Sequence, residues 1–512
     1  MKRTLLFILC SLLMLNVSAQ LRSQSEALVE ARQFVYGTGL SRVAPRGIVE
    51  WQETLFNADA EPCVYVFTHN GGFVLIAASY SARTVLGYGT SAWNSNDLPE
   101  GLQALLEHYG REQHNMYAPV SARMQRVLTP VAPLLTSRWN QRAPYYDLCP
   151  LYEGQHCLSG CVATSLGQIM RLYESPSYFD TVPLAWDLML DSYADAYTPE
   201  QGLAVARLMY ALGIVSQMNY STTASSAFST TALYGLTQQM GYDRHITLLP
   251  KDYCTTDSAL HFIHSELTAG RPLLIDAKTT EGKGHAYVCD GIDQDGLVHI
   301  NWGWGGSGDG YFALSAMNGY TCSVSVFGGI QPDRNGEYDY TMSATDWHFT
   351  SRMRIAKSTN VQVKLDTVTN QSICPLNGNI MWLIYPDSPS AQVAYLAAGF
   401  GINALQPLYY YPYINLACNM SAIPAGHYVL RMGYGVNKQY APLLMRGGVD
   451  KYASFEVTAD SILFDVPAPL PTDLSAPLMR TPDAVKTLHH GQLYIHTNQH
   501  IYNLNGYCYE ND

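Results

Sequence analysis

The chain has 512 residues, 47% of them hydrophobic and only 14% charged, so it can bury several cores, and two to four domains are expected. Its net charge of −12 is spread without a long acidic run and no basic patch is present, which argues against a nucleic-acid partner. No segment after the N-terminus approaches the length and apolarity of a membrane span.

Residues 1–19 read as an export signal. Lys2 and Arg3 supply the positive start, Leu5 to Leu15 the apolar stretch, and Val17-Ser18-Ala19 the small-residue cleavage site, with Gln20 next. A secreted or cell-surface protein is therefore expected. Of the 11 cysteines, Cys10 falls in that signal, while Cys149, Cys157 and Cys161 cluster within thirteen positions. Cys149 and Cys157 read as a disulfide or as two buried thiols. Only His156 lies near them, so no metal site is expected, and nothing calls for a cofactor.

Residues 20–133 read as a small α+β unit. The helical start SEALVEARQFV precedes strands around VYVFTH, GGFVLIAAS and TVLGYG, with Asn70-Gly71 as a hairpin turn. Leu98-Pro99-Glu100 opens a helix with Leu102, Leu105, Leu106 and Tyr109 on one face. The stretch 118–136, with Pro119, Pro130 and Pro133, reads as an exposed linker open to proteolysis.

Residues 134–332 turn from helices to strands. The helix CVATSLGQIMRLYE opens at Cys161, and two further helices follow. Thr198-Pro199-Glu200-Gln201 starts one with a capping signature, and Gly270 and Pro272 stop SALHFIHSELTAG. PLLIDAK, HAYVCDGI, LVHINW and YFALS then read as a β-meander, with a turn at Asp293-Gln294-Asp295-Gly296. Residues 337–466 alternate as strands throughout and suggest a β-sandwich-like module. The remainder, 467–512, is a Pro-rich spacer and a short hairpin-like tail. The fold class is α+β.

Chemistry concentrates between 134 and 332. Cys161 follows Gly160 at a helix N-terminus, where the dipole favours thiolate over thiol. Far downstream, His285 stands in Gly284-His285-Ala286. A cysteine and a distant histidine are the minimum equipment for covalent acyl transfer. A buried core thiol and an ordinary strand histidine are the plain alternatives. Asn301-Trp302-Gly303-Trp304-Gly305-Gly306 is aromatic and glycine-rich, and lacks the lysine and helix of a phosphate loop.

Trp139-Asn140-Gln141, Gly160-Cys161-Val162-Ala163-Thr164, Gly284-His285-Ala286 and the Trp-Gly-Trp segment together resemble the streptopain family of papain-like bacterial cysteine proteases. Pro144-Tyr145-Tyr146, Gln168-Ile169-Met170 and Asp309-Gly310-Tyr311-Phe312 extend the resemblance, and residues 25–133 are similar to the inhibitory propeptide of that family. The chain resembles the longer homologues of oral anaerobes, which carry a β-rich extension.

The resemblance implies a papain-like two-layer catalytic domain, an intramolecular inhibitor and protein or peptide substrates. It makes Cys161 the nucleophile, His285 the general base and acid, and Gln141 an oxyanion donor beside the Cys161 backbone N–H. Trp304, then Asn301, are the candidates for orienting His285, while Trp302 packs against the imidazole. Gly284 and Ser226 are implied as substrate-binding; around Ser226 the run Ser221-Thr222-Thr223-Ala224 departs from the family pattern. A non-catalytic adhesion protein and an acyl-transfer enzyme are the competing functions. The tail resembles part of a Bacteroidetes-type sorting region without its full β-domain.

Overall fold

The computed structural model describes residues 21–37, 48–114, 128–278, 284–316, 324–387 and 393–465, together with the backbone of short strands between 468 and 509. The expected signal at 1–19 and the part of the expected linker at 118–127 lie outside these residues.

In the N-terminal unit, α1 (Gln24–Gly37) buries Ala27, Ala31 and Val35, spaced to share one helical face. Four strands follow: β1 (Glu50–Phe56), β2 (Pro62–His69), β3 (Gly72–Ala77) and β4 (Val85–Gly89). The Asn70-Gly71 turn takes φ of 46° and 82°, and His69 pairs directly with Gly72, as a two-residue hairpin requires. Strand β1 was not anticipated: it is largely exposed and polar, and it follows β2 through two register shifts. The helix α2 (Glu100–His114) buries Leu102, Leu105, Leu106 and Tyr109 as its spacing predicts.

The next unit places α3 (Cys161–Tyr173), α4 (Pro199–Val215), α5 (Ser229–Gln239) and α6 (Thr256–Thr268) around a second group of strands. These are β5 (Thr247–Leu249), β6 (Leu273–Lys278), β7 (Gly284–Ile292), β8 (Val298–Asn301), β9 (Gly310–Phe312) and β10 (Ser325–Gly328). Thr198 caps α4 reciprocally with Gln201, as its sequence predicts. Three helices, not two, follow α3. The extra one, α5, has no side-chain N-cap and contains three threonines and a glycine, so its sequence signal is weak. Packing forms it instead: Ala232, Leu233 and Leu236 are buried, and a Cβ at Gly235 would lie 2.4 Å from the Val215 carbonyl oxygen.

The two units are not separate bodies joined by a linker. Their strands form one antiparallel sheet in the order β1-β2-β3-β4-β9-β8-β7-β6-β10-β5. At the junction Tyr88 pairs with Tyr311 and Gly87 with Phe312, and the two tyrosine rings stack 5.1 Å apart. From α2, Glu112 accepts hydrogen bonds from the Ala316 N–H and the Ser315 hydroxyl, while Tyr109 donates to the Ala313 carbonyl. One core unites Val66, Leu75 and Leu105 with Tyr287, Cys289, Trp302 and Phe312. On the opposite face Ala286 and Val288 join α3, α4 and α5 in a second core. The two-residue alternation along β7 thus feeds both layers.

The expected linker is also corrected at its C-terminal part. Val131 exchanges both backbone hydrogen bonds with Ile292, Leu128 N–H donates to the Gln294 carbonyl, and Leu134 N–H to the Asp290 carbonyl. This stretch is laid along the end of β7.

Beyond 337, thirteen strands form one hydrogen-bonded network around Trp347, Leu365, Trp382 and Leu430, with clean alternation such as Val361, Val363 and Leu365 inward. The module is seated on the preceding unit through Tyr338, which meets Thr237 and Gln238, and through His245–Asp339 at 3.3 Å. Part of the expected spacer, Ala468–Pro471, pairs with 449–452 as a further strand. The tail is a four-stranded meander rather than a single hairpin.

The junction is lined by glycines because backbones meet there closely. A Cβ at Gly87 would lie 2.6 Å from Phe312 Cδ1 and 2.9 Å from the Tyr311 carbonyl oxygen. Gly87→Ala is expected to destabilise the full-length chain by about 1–3 kcal/mol in urea unfolding. Gly37→Ala, whose Cβ would meet nothing within 4 Å, should leave the transition unchanged.

Candidate active site

Cys161 is the first residue of α3, after Gly160 at φ 89°. A side chain at Gly160 would collide with Met218 at 2.8 Å and approach the Ser225 carbonyl at 3.3 Å, so glycine lets the 218–226 loop lie against the nucleophile. Behind Cys161, Val162, Leu166, Ile169 and Met170 are buried and fix the helix. Ser165 Oγ donates to the Ala286 carbonyl at 3.2 Å, tying α3 to the strand that carries His285.

Cys161, His285, Gln141, Trp302 and Trp304 line one narrow cleft, so five residues separated by up to 163 positions are brought together. Gln141 is buried, and its carbonyl accepts from both the backbone N–H and the hydroxyl of Ser159. Trp302 packs on Tyr287 with ring centroids 4.7 Å apart and donates its indole N–H to the Gly308 carbonyl. Gly303, Gly305, Gly306 and Gly308 all take positive φ, which turns Trp304 back toward the cleft.

Asn301 is placed differently. Its Nδ2 donates to the Ser137 carbonyl at 2.8 Å and to Gln168 Oε1 at 3.1 Å, while its Oδ1 accepts from Gln168 Nε2 and the Gly303 N–H at 3.0 Å each. An amide has two donor hydrogens and two acceptor positions, so this set fills its capacity and leaves none to orient His285. Ser226 and Gly284 are exposed and do not line the cleft in this chain; Ser226 exchanges backbone hydrogen bonds with Asn219. A Cβ at Gly284 would meet nothing within 4 Å.

The same cleft is lined from the N-terminal unit by Glu100 and Gly101, the first residues of α2. Glu100 Oε2 lies 3.1 Å from His285 Nδ1. A Cβ at Gly101 would fall 2.8 Å from the Trp302 ring. Neither residue was singled out by sequence: Glu100 reads there only as an acidic helix start. Asp309 was quoted only as part of a motif. It accepts the Trp302 N–H at 2.9 Å, and burial pushes its carboxyl up to about 7.

The Cys161 thiol departs from the helix-dipole expectation. Burial pushes it up to about 11, against backbone hydrogen bonding from Ala286, and the charges of Asp276 and Glu100 push the same way. Burial of the sulfur in the cleft therefore acts against the helix N-terminus and favours the thiol form, although the residue as a whole is only partly buried. Cys149 and Cys157 are buried free thiols.

A thiol at a helix start, an imidazole and a buried amide in one cleft define a cysteine peptidase. Residues 139–312 match the Peptidase C10 family and residues 19–113 match the Spi protease inhibitor. Streptopain of Streptococcus pyogenes is 26% identical over 342 residues, covering 58% of this chain and 86% of streptopain. The thiol protease/hemagglutinin PrtT of Porphyromonas gingivalis is 28% identical over 331 residues, covering 54% of this chain and 38% of that protein. The structure of a fragment of Prevotella intermedia prointerpain A has 25% identity and a TM-score of 0.48, covering 55% of this chain and 98% of the fragment. The chain thus carries a Peptidase C10 region at 139–312 and a match to a protease inhibitor at 19–113, and is a cysteine peptidase.

Alkylation reads the thiol directly. In full-length chain carrying His285→Ala, iodoacetamide labelling of Cys161 should keep rising to about pH 11, where an ordinary thiol levels near 9. At pH 8 the thiolate fraction, and with it the rate, should be about a hundredfold below that of an ordinary thiol. Mass spectrometry of the Cys161 peptide measures it.

Proposed function

We propose that this chain is an exported zymogen of a cysteine endopeptidase, held latent by its own residues 20–133. The single observation that carries the latency is the contact of Glu100 Oε2 with His285 Nδ1 at 3.1 Å. That contact sets the first turn of α2, with Glu100 and Gly101, inside the cleft beside His285, where a substrate peptide would have to lie. The thiol form of Cys161 is favoured for the reasons given above. Most of the grip comes from the shared sheet and core, because Glu100 is half exposed and a pair of that kind contributes only about 0.2–1 kcal/mol.

With the N-terminal unit displaced, Cys161 and His285 form the nucleophile and its base. The thiolate attacks the peptide carbonyl carbon, and the developing oxyanion takes hydrogen bonds from the Gln141 side chain and the Cys161 N–H. That N–H has no partner within the helix, being in its first turn. His285 returns the proton to the leaving amine, and water then hydrolyses the thioester. Gln141 is assigned to the chemistry because it is buried and lines the cleft with Cys161, and loss of such a donor costs about 3 kcal/mol of barrier. Trp304 lines the cleft with His285, and Gly284 and Ser226, which lie outside the cleft lining, are assigned to more distant parts of the substrate. Export follows from the reading of residues 1–19.

Two experiments test this. Cys161→Ala should abolish cleavage of casein and of the chain itself, while trace active enzyme still processes the variant; N-terminal sequencing should then find a start at or before Leu128, because the backbone at 128, 131 and 134 is hydrogen-bonded to the catalytic unit. A Cys161→Ala protein that matures alone sinks the assignment. In a chain with Cys161 intact, Glu100→Gln should shorten the lag before self-processing by no more than about fivefold, the factor that 1 kcal/mol is worth. A gel time course reads the lag, and an unchanged one removes Glu100 from the latency.

A further inference from the structure

Gln168 lies two turns beyond Cys161 on α3 and is fully buried. Its Oε1 accepts from the Trp139 N–H at 3.0 Å and from Asn301 Nδ2 at 3.1 Å, and its Nε2 donates to Asn301 Oδ1 at 3.0 Å. Gln168 and Asn301 thus form a reciprocal amide pair, and Trp139 and Ser137, which bond to it, are buried as well. The orientation of both amides is fixed by backbone groups whose roles cannot be exchanged. The N–H groups of Trp139 and Gly303 each require an oxygen, and the Ser137 carbonyl requires an NH₂.

This pair ties three segments together by hydrogen bonds, beside the packing of Thr164 near Gly303 and of Leu166 and Met170 in the core with Trp139. One is α3 itself, which carries Cys161. The second is 137–141, which ends in Gln141. The third begins at Asn301 and runs into Trp304. The last two are then cross-tied, because the Trp139 carbonyl accepts the Gly305 N–H at 2.9 Å. Three of the cleft's elements are therefore bridged by one buried side chain that hydrogen-bonds to two of them from the third. A cleft that must present donors to an oxyanion depends on the spacing of its elements, since misplacement by about 1 Å can cost a hundredfold in rate.

We infer that Gln168 is a positioning residue for the acyl-transfer reaction: paired with Asn301, it sets Gln141 and the Trp304 loop at their distance from Cys161. This rests on the peptidase reading above. Asn301 enters the site through Gln168 and not through His285.

The test uses processed enzyme, with active sites titrated, and compares peptide hydrolysis with iodoacetamide alkylation of Cys161. Alkylation is displacement at carbon and builds no oxyanion, so it reports the thiol without the oxyanion arm. Gln168→Leu should lower kcat on a peptide amide by about ten- to a hundredfold, with KM and the alkylation rate within about twofold. Gln168→Glu is the conservative variant. Its neutral carboxyl reproduces both acceptor bonds and the donor bond, while its ionised form loses the donor and buries a charge. Its kcat relative to the parent should therefore be highest at acid pH and fall as pH rises.

Loss of peptide hydrolysis and alkylation in equal measure, or a Gln168→Glu ratio flat with pH, overturns the inference. If Gln168→Leu does not fold, the pH dependence of Gln168→Glu decides alone. A parent that cleaves peptide no faster than its Gln168 variants overturns the inference and leaves the peptidase reading standing. A parent that is alkylated at Cys161 but cleaves no peptide overturns both.

Discussion

The pairing of β4 with β9 is the constraint on which the rest of this structure depends. It makes one sheet from two units, and by doing so it fixes where α2 must lie. With Tyr109 and Glu112 bonded to residues 313–316, the other end of that helix is carried to the cleft. Glu100 and Gly101 arrive at His285 and Trp302 because the helix has no other course. The latency proposed for this chain would in this sense be a property of sheet registry. The ion pair at its end is weak, but its position is set by a large buried core.

That arrangement also decides the state of the nucleophile. A helix N-terminus lowers a thiol's proton affinity only where the thiolate retains solvation or a counter-charge. Here burial and two nearby carboxylates act in the opposite sense, and their combined effect is the larger. The local sequence around Cys161 is that of an active thiol, while the tertiary environment is that of a silent one. Both statements hold at once because the covering residues belong to a unit encoded 60 residues upstream.

How much of this was legible beforehand follows from range. The Asn70-Gly71 hairpin, the Thr198 capping box and the apolar face of α2 are local patterns, and each is found where its residues lie. Cys161, His285, Gln141 and Trp304 were gathered by motif, and the cleft does bring them together. What escaped is nonlocal. Helix α5 forms by packing against Val215 rather than by propensity. Prolines at 130 and 133 suggested a free linker, yet the backbone between and after them is bonded to β7. Glu100 carries no mark in sequence beyond an acidic helix start. Asn301 was placed beside the right loop but given a partner, His285, that its four hydrogen bonds exclude.

The junction has a consequence for the processed enzyme. With β1 to β4 gone, β9 would cease to be an interior strand and become the margin of a six-stranded sheet, still paired with β8 but with the backbone groups that faced β4 left open. Such a margin invites association with any extended chain. Here it is only three residues long, Gly310–Phe312, which limits the length of chain it could pair with. Gly310, where a Cβ would lie 2.3 Å from the Tyr88 carbonyl oxygen, admits the partner strand closely, and Tyr311, stacked on Tyr88 before removal, would be the side chain uncovered after it.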